Sequence, residues 1–84
     1  MKKTLEKPKL SDLAPLVAYL PPLIARREVG RMLGGLVSSK TLANHDCRGT
    51  GPRVRIETPM GVAYPTDFLL EWIEARGLHV RKKD

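Results

Sequence analysis

The sequence predicts a small α+β domain, mainly helical, in which a two-stranded hairpin is followed by a C-terminal helix. Three observations carry this expectation. Apolar residues recur at spacings of three and four, as in Leu13, Leu16, Val17, Leu20 and again in Phe68, Leu69, Trp72, Ile73. Breakers divide the chain at Pro21-Pro22, Gly34-Gly35 and Gly49-Thr50-Gly51-Pro52. One stretch, Arg53-Val54-Arg55-Ile56-Glu57, alternates polar and apolar with period two. At 84 residues the chain is at most one domain. A chain of that size buries only about 60% of its unfolded surface, so the core is modest.

The elements follow in order. Residues 1–10 are lysine-rich without apolar periodicity and read as a flexible basic tail. The domain proper spans 11–77. Ser11-Asp12 is positioned to cap a lid helix over 11–22, with Pro15 in its first turn and Pro21-Pro22 as its stop. Residues 24–48 form a pair of helices. The first carries the stripe Val29, Met32, Leu33 and ends at Gly34-Gly35, since glycine accepts a left-handed cap. Ser38 or Ser39 caps the second, where Leu42 and Ala43 face inward and Lys40, Thr41, Asn44 and Arg48 face outward. The hairpin covers 53–64. Its turn is Thr58-Pro59-Met60-Gly61 and its return strand is Val62-Ala63-Tyr64. Pro65-Thr66-Asp67 starts a helix over 65–76, with a proline early and an acid near the positive end of the dipole. Gly77 closes it, and 78–84 is a second basic tail.

The net charge is +6, which favours a polyanionic partner. Residues 57–74 carry only acids (Glu57, Asp67, Glu71, Glu74), whereas the flanking segments are basic. That polarity suits one face on phosphates and one away from them. Cys47 is the only cysteine, so an internal disulfide and a multi-cysteine zinc site are excluded, in keeping with a reducing cytoplasm. It reads as a small filler near the end of its helix. His45 stands two residues from Cys47, on a different side of a helix, and reads as a packing or hydrogen-bonding residue; no metal is expected. Met1-Lys2-Lys3 before an apolar run imitates a signal peptide, but Asp12 and four prolines interrupt it, and no run suffices to span a membrane. The glycine pairs lack a following Walker lysine. Tyr64, Phe68 and Trp72 read as core. No Ser/His/Asp set, paired carboxylates or activated thiol is found, so neither an enzyme, a cofactor nor a small-molecule substrate is expected.

Arg27-Glu28-Val29 leads to Leu33-Gly34, then Ser38 through Thr41-Leu42, then Arg48-Gly49 with Gly51-Pro52, and Val62-Ala63-Tyr64-Pro65 feeds Asp67-Phe68 and Trp72-Ile73. This ordered set, over Leu23 to Arg76, resembles the winged helix-turn-helix domains of the excisionase and MerR-like family, including prophage regulators of the AlpA kind. The resemblance implies a helix in the major groove of double-stranded DNA with a hairpin wing beside it, in an excisionase-like protein or transcription regulator. Ser39, Lys40, Thr41 and Asn44 are then the groove contacts, with Arg48, Arg53 and Arg55 on phosphates. Arg26, Arg27 and Arg31 belong equally well to a solvated face. The link Gly34-Gly35-Leu36-Val37 is longer than the tight turn common in the family. The wing tip lacks basic residues and Glu57 repels phosphate, so the wing is expected to stay off the DNA rather than to insert Pro59-Met60 as a wedge. One such domain has a small footprint, so useful affinity calls for a homodimer or cooperative neighbours. Two rivals remain: a packaging factor like a phage terminase small subunit, and a protein-interaction module docking a partner on Leu13–Leu23.

Overall fold

In the computed structural model, which describes residues 7–76, an antiparallel sheet of three strands forms where the sequence suggested two. The strands are β1 (Leu23–Ala25), β2 (Ile56–Thr58) and β3 (Gly61–Pro65), in the order β1-β3-β2. The hairpin β2-β3 is where the alternation placed it, though it begins at Ile56 rather than Arg53. Thr58 closes its tip: the hydroxyl accepts from the Met60 amide at 3.1 Å and donates to the Gly61 carbonyl at 2.9 Å. Gly61 sits at φ 133°, which a side chain would resist.

β1 was not legible because three residues are too few to display a period. The helical pair expected over 24–48 therefore starts later, since residues 24 and 25 belong to a strand. Pro21 and Pro22 hold the residues before them, Leu20 and Pro21, out of the helical region, and pairing of Leu23, Ile24 and Ala25 with Pro65, Tyr64 and Ala63 makes the strand. The Thr66 amide donates to the Pro22 carbonyl at 3.0 Å and its hydroxyl to the Pro21 carbonyl, which ties the diproline to the next helix. The third strand matters, because an isolated hairpin is marginal in water.

Four helical segments surround the sheet within the described residues. A 3-10 turn at Arg26–Glu28 runs into the short α1 (Val29–Met32), after which Gly34 and Gly35 take φ values of 64° and 82°. Helix α2 spans Ser39–Arg48 and α3 spans Thr66–Ala75. Helix α3 supplies most of the core, burying Phe68, Leu69, Leu70, Trp72 and Ile73. Ile24, Val29, Leu42 and Tyr64 pack against it.

The expected lid helix over 11–22 is a correction. Only Ala14–Tyr19 is helical, and it is a 3-10 helix that starts after Leu13. Ser11 does not cap it. The Ser11 amide and hydroxyl and the Leu13 amide all donate to the Glu74 carboxylate, at 3.1, 2.9 and 2.8 Å. Pro21-Pro22 stop the segment after Leu20, and the short stretch is closed by i→i−3 bonds, the Leu16 amide donating to Leu13 at 3.0 Å and the Leu20 amide to Val17 at 3.4 Å. The apolar stripe still works in part: Leu13, Val17 and Leu20 pack on the core while Leu16 is exposed. Lys9 and Leu10, read as tail, lie against the fold, for the Lys9 amide donates to Glu71 at 2.8 Å and Leu10 packs on the core. Residues 1–6 and 77–84, the expected helix stop Gly77 among them, lie outside the described residues. No helix among the described residues is long and apolar enough to cross a membrane.

The acids of α3 therefore clamp the N-terminal segment. Burial pushes both carboxyls up, but Arg53 and the Lys9 amide bring Glu71 below its ordinary 4.5, and the Leu13 and Ser11 amides do the same for Glu74. Depressed folded values mean that the unfolded chain takes up protons first. The stabilisation is full above pH 4.5 and is lost as pH falls through the folded values. Thermal midpoints are expected to drop between pH 6 and 3, and Glu74→Gln is expected to lower the pH 6 midpoint and flatten that slope. Differential scanning calorimetry across the range checks both.

Candidate nucleic-acid interface

Helix α2 is short, and its sequence gives it two distinct sides. The Ser38 hydroxyl accepts from the Thr41 amide at 3.1 Å, as the sequence anticipated for a cap, and Gly49 ends the helix at φ 77°. Leu42 is its one buried side chain, and Ser39, Lys40, Thr41, Asn44, Cys47 and Arg48 are exposed. At 3.6 residues per turn, Lys40, Asn44 and Cys47 form one outward strip, flanked by Thr41 and Arg48 on one side and Ser39 on the other. The Thr41 hydroxyl also accepts from Ser38, at 2.9 Å, so part of its capacity serves the cap.

Cys47 is another correction. It is exposed on the outward strip rather than filling a gap. His45 behaves as expected for a packing residue. Its ring meets Trp72 edge-on at 5.2 Å, and Nδ1 lies 2.8 Å from the Thr50 hydroxyl. Trp72 donates its indole N–H to the Thr50 carbonyl at 2.8 Å, which fastens the glycine-rich loop beneath α2. Among the described residues, no group of three or more His, Cys, Asp or Glu side chains could hold a metal ion.

The two arginines after that loop have partners inside the protein. Arg53 donates to Glu71 at 2.9 Å and to the Lys7 carbonyl at 3.2 Å, with its guanidinium 4.6 Å from the centre of the Phe68 ring. Arg55 donates to Glu57 at 2.7 Å and comes within 3.8 Å of Asp46. A phosphate arriving at either must compete with a carboxylate. The resemblance implied phosphate contacts for both, but the sequence could not show that Glu71, eighteen residues on, folds back to Arg53.

A different set of cations borders the strip. Arg26, Arg27, Ser39, Lys40 and Ala43 line one side of a groove of about 410 Å³, and Met60, Gly61 and Val62 of the hairpin line the other. Arg27 reaches the hairpin through a long bond to the Met60 carbonyl at 3.5 Å. Among the described residues, Arg27, Lys40 and Arg48 form no salt bridge. Arg26 is held instead, its guanidinium 2.5 Å from Asp46. Its bond to the Tyr64 hydroxyl, and then the bond to Asp46, raise its pKa against the opposing effect of burial. Sequence reasoning left Arg26 and Arg27 undecided because their nearness to the hairpin depends on β1, the strand it missed.

The structure thus unites Ser39, Lys40, Thr41, Asn44 and Arg48 on one exposed helix surface and adds Arg27, while Arg53 and Arg55 are committed elsewhere. No family model matches the chain, and no curated protein or solved structure does either.

Proposed function

We propose that the protein is a small sequence-specific binder of double-stranded DNA, built as a winged helix-turn-helix and serving as an excisionase-like factor or transcription regulator in the cytoplasm. It needs no catalysis and no cofactor. The observation that carries the reading is the exposed strip of α2, with Lys40 and Asn44 along it and a cation-lined groove beside it. A helix of ten residues is about 15 Å long, and the major groove, about 12 Å wide, admits one. Asn44 suits adenine, Lys40 suits guanine or phosphate, and Arg27 and Arg48 suit phosphates on either flank. The hairpin wing contributes the far wall of the groove.

The test is a titration of labelled duplex DNA at rising salt. With about three phosphate contacts, the logarithm of the binding constant should fall against that of salt with a slope of about −2.7. Absence of binding even at low salt rejects the proposal. Cys47 provides an independent check, as the only thiol in the chain. Maleimide modification is expected to reduce duplex binding at least tenfold, and bound duplex is expected to slow the modification; equal rates with and without duplex would count against the strip.

One feature favours a second reading, a protein-interaction module. An apolar groove of about 250 Å³, lined by Leu16, Tyr19, Leu20, Leu33, Leu36 and Ile73, lies beside the N-terminal 3-10 helix, and Tyr19 is 84% exposed. Under that reading Lys40→Glu leaves the partner complex intact.

A further inference from the structure

Helix α2 is attached to the fold by little apolar contact, since Leu42 alone of its residues is buried. One such residue holds a helix close but does not define its rotation about its own axis. Two further attachments flank Leu42. On one side, His45 meets the edge of Trp72. On the other stands Asp46, whose side chain is only 5% exposed.

Asp46 is the centre of a polar knot, with Arg55 at its edge, 3.8 Å from Oδ1. Its Oδ2 accepts from the Arg26 guanidinium and from the Tyr64 hydroxyl, each at 2.5 Å. Arg26 Nε also donates to the Tyr64 hydroxyl, at 3.0 Å. The three groups come from three elements: α2, the turn after β1, and the central strand β3. Oδ1 is buried without a hydrogen bond among the described residues and faces Gly51, where any Cβ would overlap it. Asp46 is thus packed closely against the Gly51 backbone.

We infer that Asp46, through Arg26 and Tyr64, is the positioning residue that sets the rotation of α2 and so decides which side chains of the outward strip meet a base pair. The inference rests on the DNA-binding reading and deepens it. A helix with its side chains is about 10–12 Å across, so a rotation of 20° moves side-chain tips by about 2 Å. Hydrogen bonding to base edges tolerates about 0.5 Å. Phosphate attraction is far less sensitive to angle, because it is coulombic and carries no sequence information. Loosening the knot thus removes discrimination before it removes affinity. Removing the carboxylate also uncovers the charge of Arg26, which lines the groove.

The experiment is site selection from a random duplex pool, run in parallel on the wild-type chain, Asp46→Asn and Tyr64→Phe, with thermal melts of each. Asp46→Asn is expected to lose at least tenfold in preference for the selected sequence over a scrambled one. Its affinity for the scrambled duplex is expected to rise about threefold at low salt. Tyr64→Phe, which keeps the charge, is expected to lose discrimination without that rise, and it carries the test if Asp46→Asn fails to fold. A merely structural role lowers both affinities together in proportion to the unfolded fraction, and that result overturns the inference. So does a variant that selects the wild-type sequence as sharply as wild type, a result that leaves the DNA-binding reading standing. A wild-type chain that selects no sequence and binds no duplex overturns both.

Discussion

Trp72→Ala is expected to leave the domain largely unfolded at 37 °C. Truncating a buried tryptophan removes about 3–5 kcal/mol, and a domain of this length holds only about 4–13 kcal/mol in total. The loss here belongs at the upper end. Trp72 is in the core, receives the edge of His45, bonds the Thr50 carbonyl and carries Arg76 over its ring at 4.9 Å. Its removal thus unfastens α2 and the loop before β2 together. The thermal midpoint should fall by about 15–30 °C, measured by far-ultraviolet circular dichroism. Trp72→Phe keeps a ring but not the indole donor, and is expected to recover roughly half of that fall. A drop of less than 5 °C for Trp72→Ala would mean that the packing of α2 on α3 is not as described.

The second large effect concerns binding, and it separates two roles on one helix. Lys40→Glu changes the local charge by two units on the rim of the groove. It is expected to weaken binding to every duplex by about 10–100-fold at low salt and to make the salt slope shallower by about one. Asn44→Ala is expected to weaken only the preferred site, by about 1–3 kcal/mol, with the slope unchanged. Both residues are exposed and away from the core, so neither substitution should shift the melting temperature by more than about 3 °C. Binding measured at three salt concentrations on a selected and a scrambled duplex distinguishes the pair. Equal effects of Lys40→Glu and Asn44→Ala on both duplexes would refute the division of roles.

The candidate site was legible to the extent that it is local. The cap at Ser38, the stop at Gly49 and the inward turn of Leu42 follow from residues within one helix, and they put Lys40 and Asn44 outside. What the sequence did not show depended on distant residues. Arg53 alternates with its neighbours as a strand residue should, yet its guanidinium is directed by Glu71, eighteen residues on. Arg27 looked like part of a solvated helix face, yet sheet pairing carries it beside Gly61. Ser11 has the chemistry of a cap, yet its amide and hydroxyl go to Glu74, sixty-three residues away.

The chain by itself determined its helices α2 and α3, its hairpin, its breaks at glycine and proline, and its basic charge. These arise from periodicity, dihedral preference and composition, all of which act over a few residues. Tertiary structure alone decided that Leu23–Ala25 is a strand, that the N-terminal segment is a clamped 3-10 helix, and which basic side chains keep their charge free. Those outcomes turn on which carboxylate or carbonyl meets each group in space. Coulombic attraction and hydrogen bonding across the fold are set by distance in three dimensions, and separation along the chain carries almost none of that information.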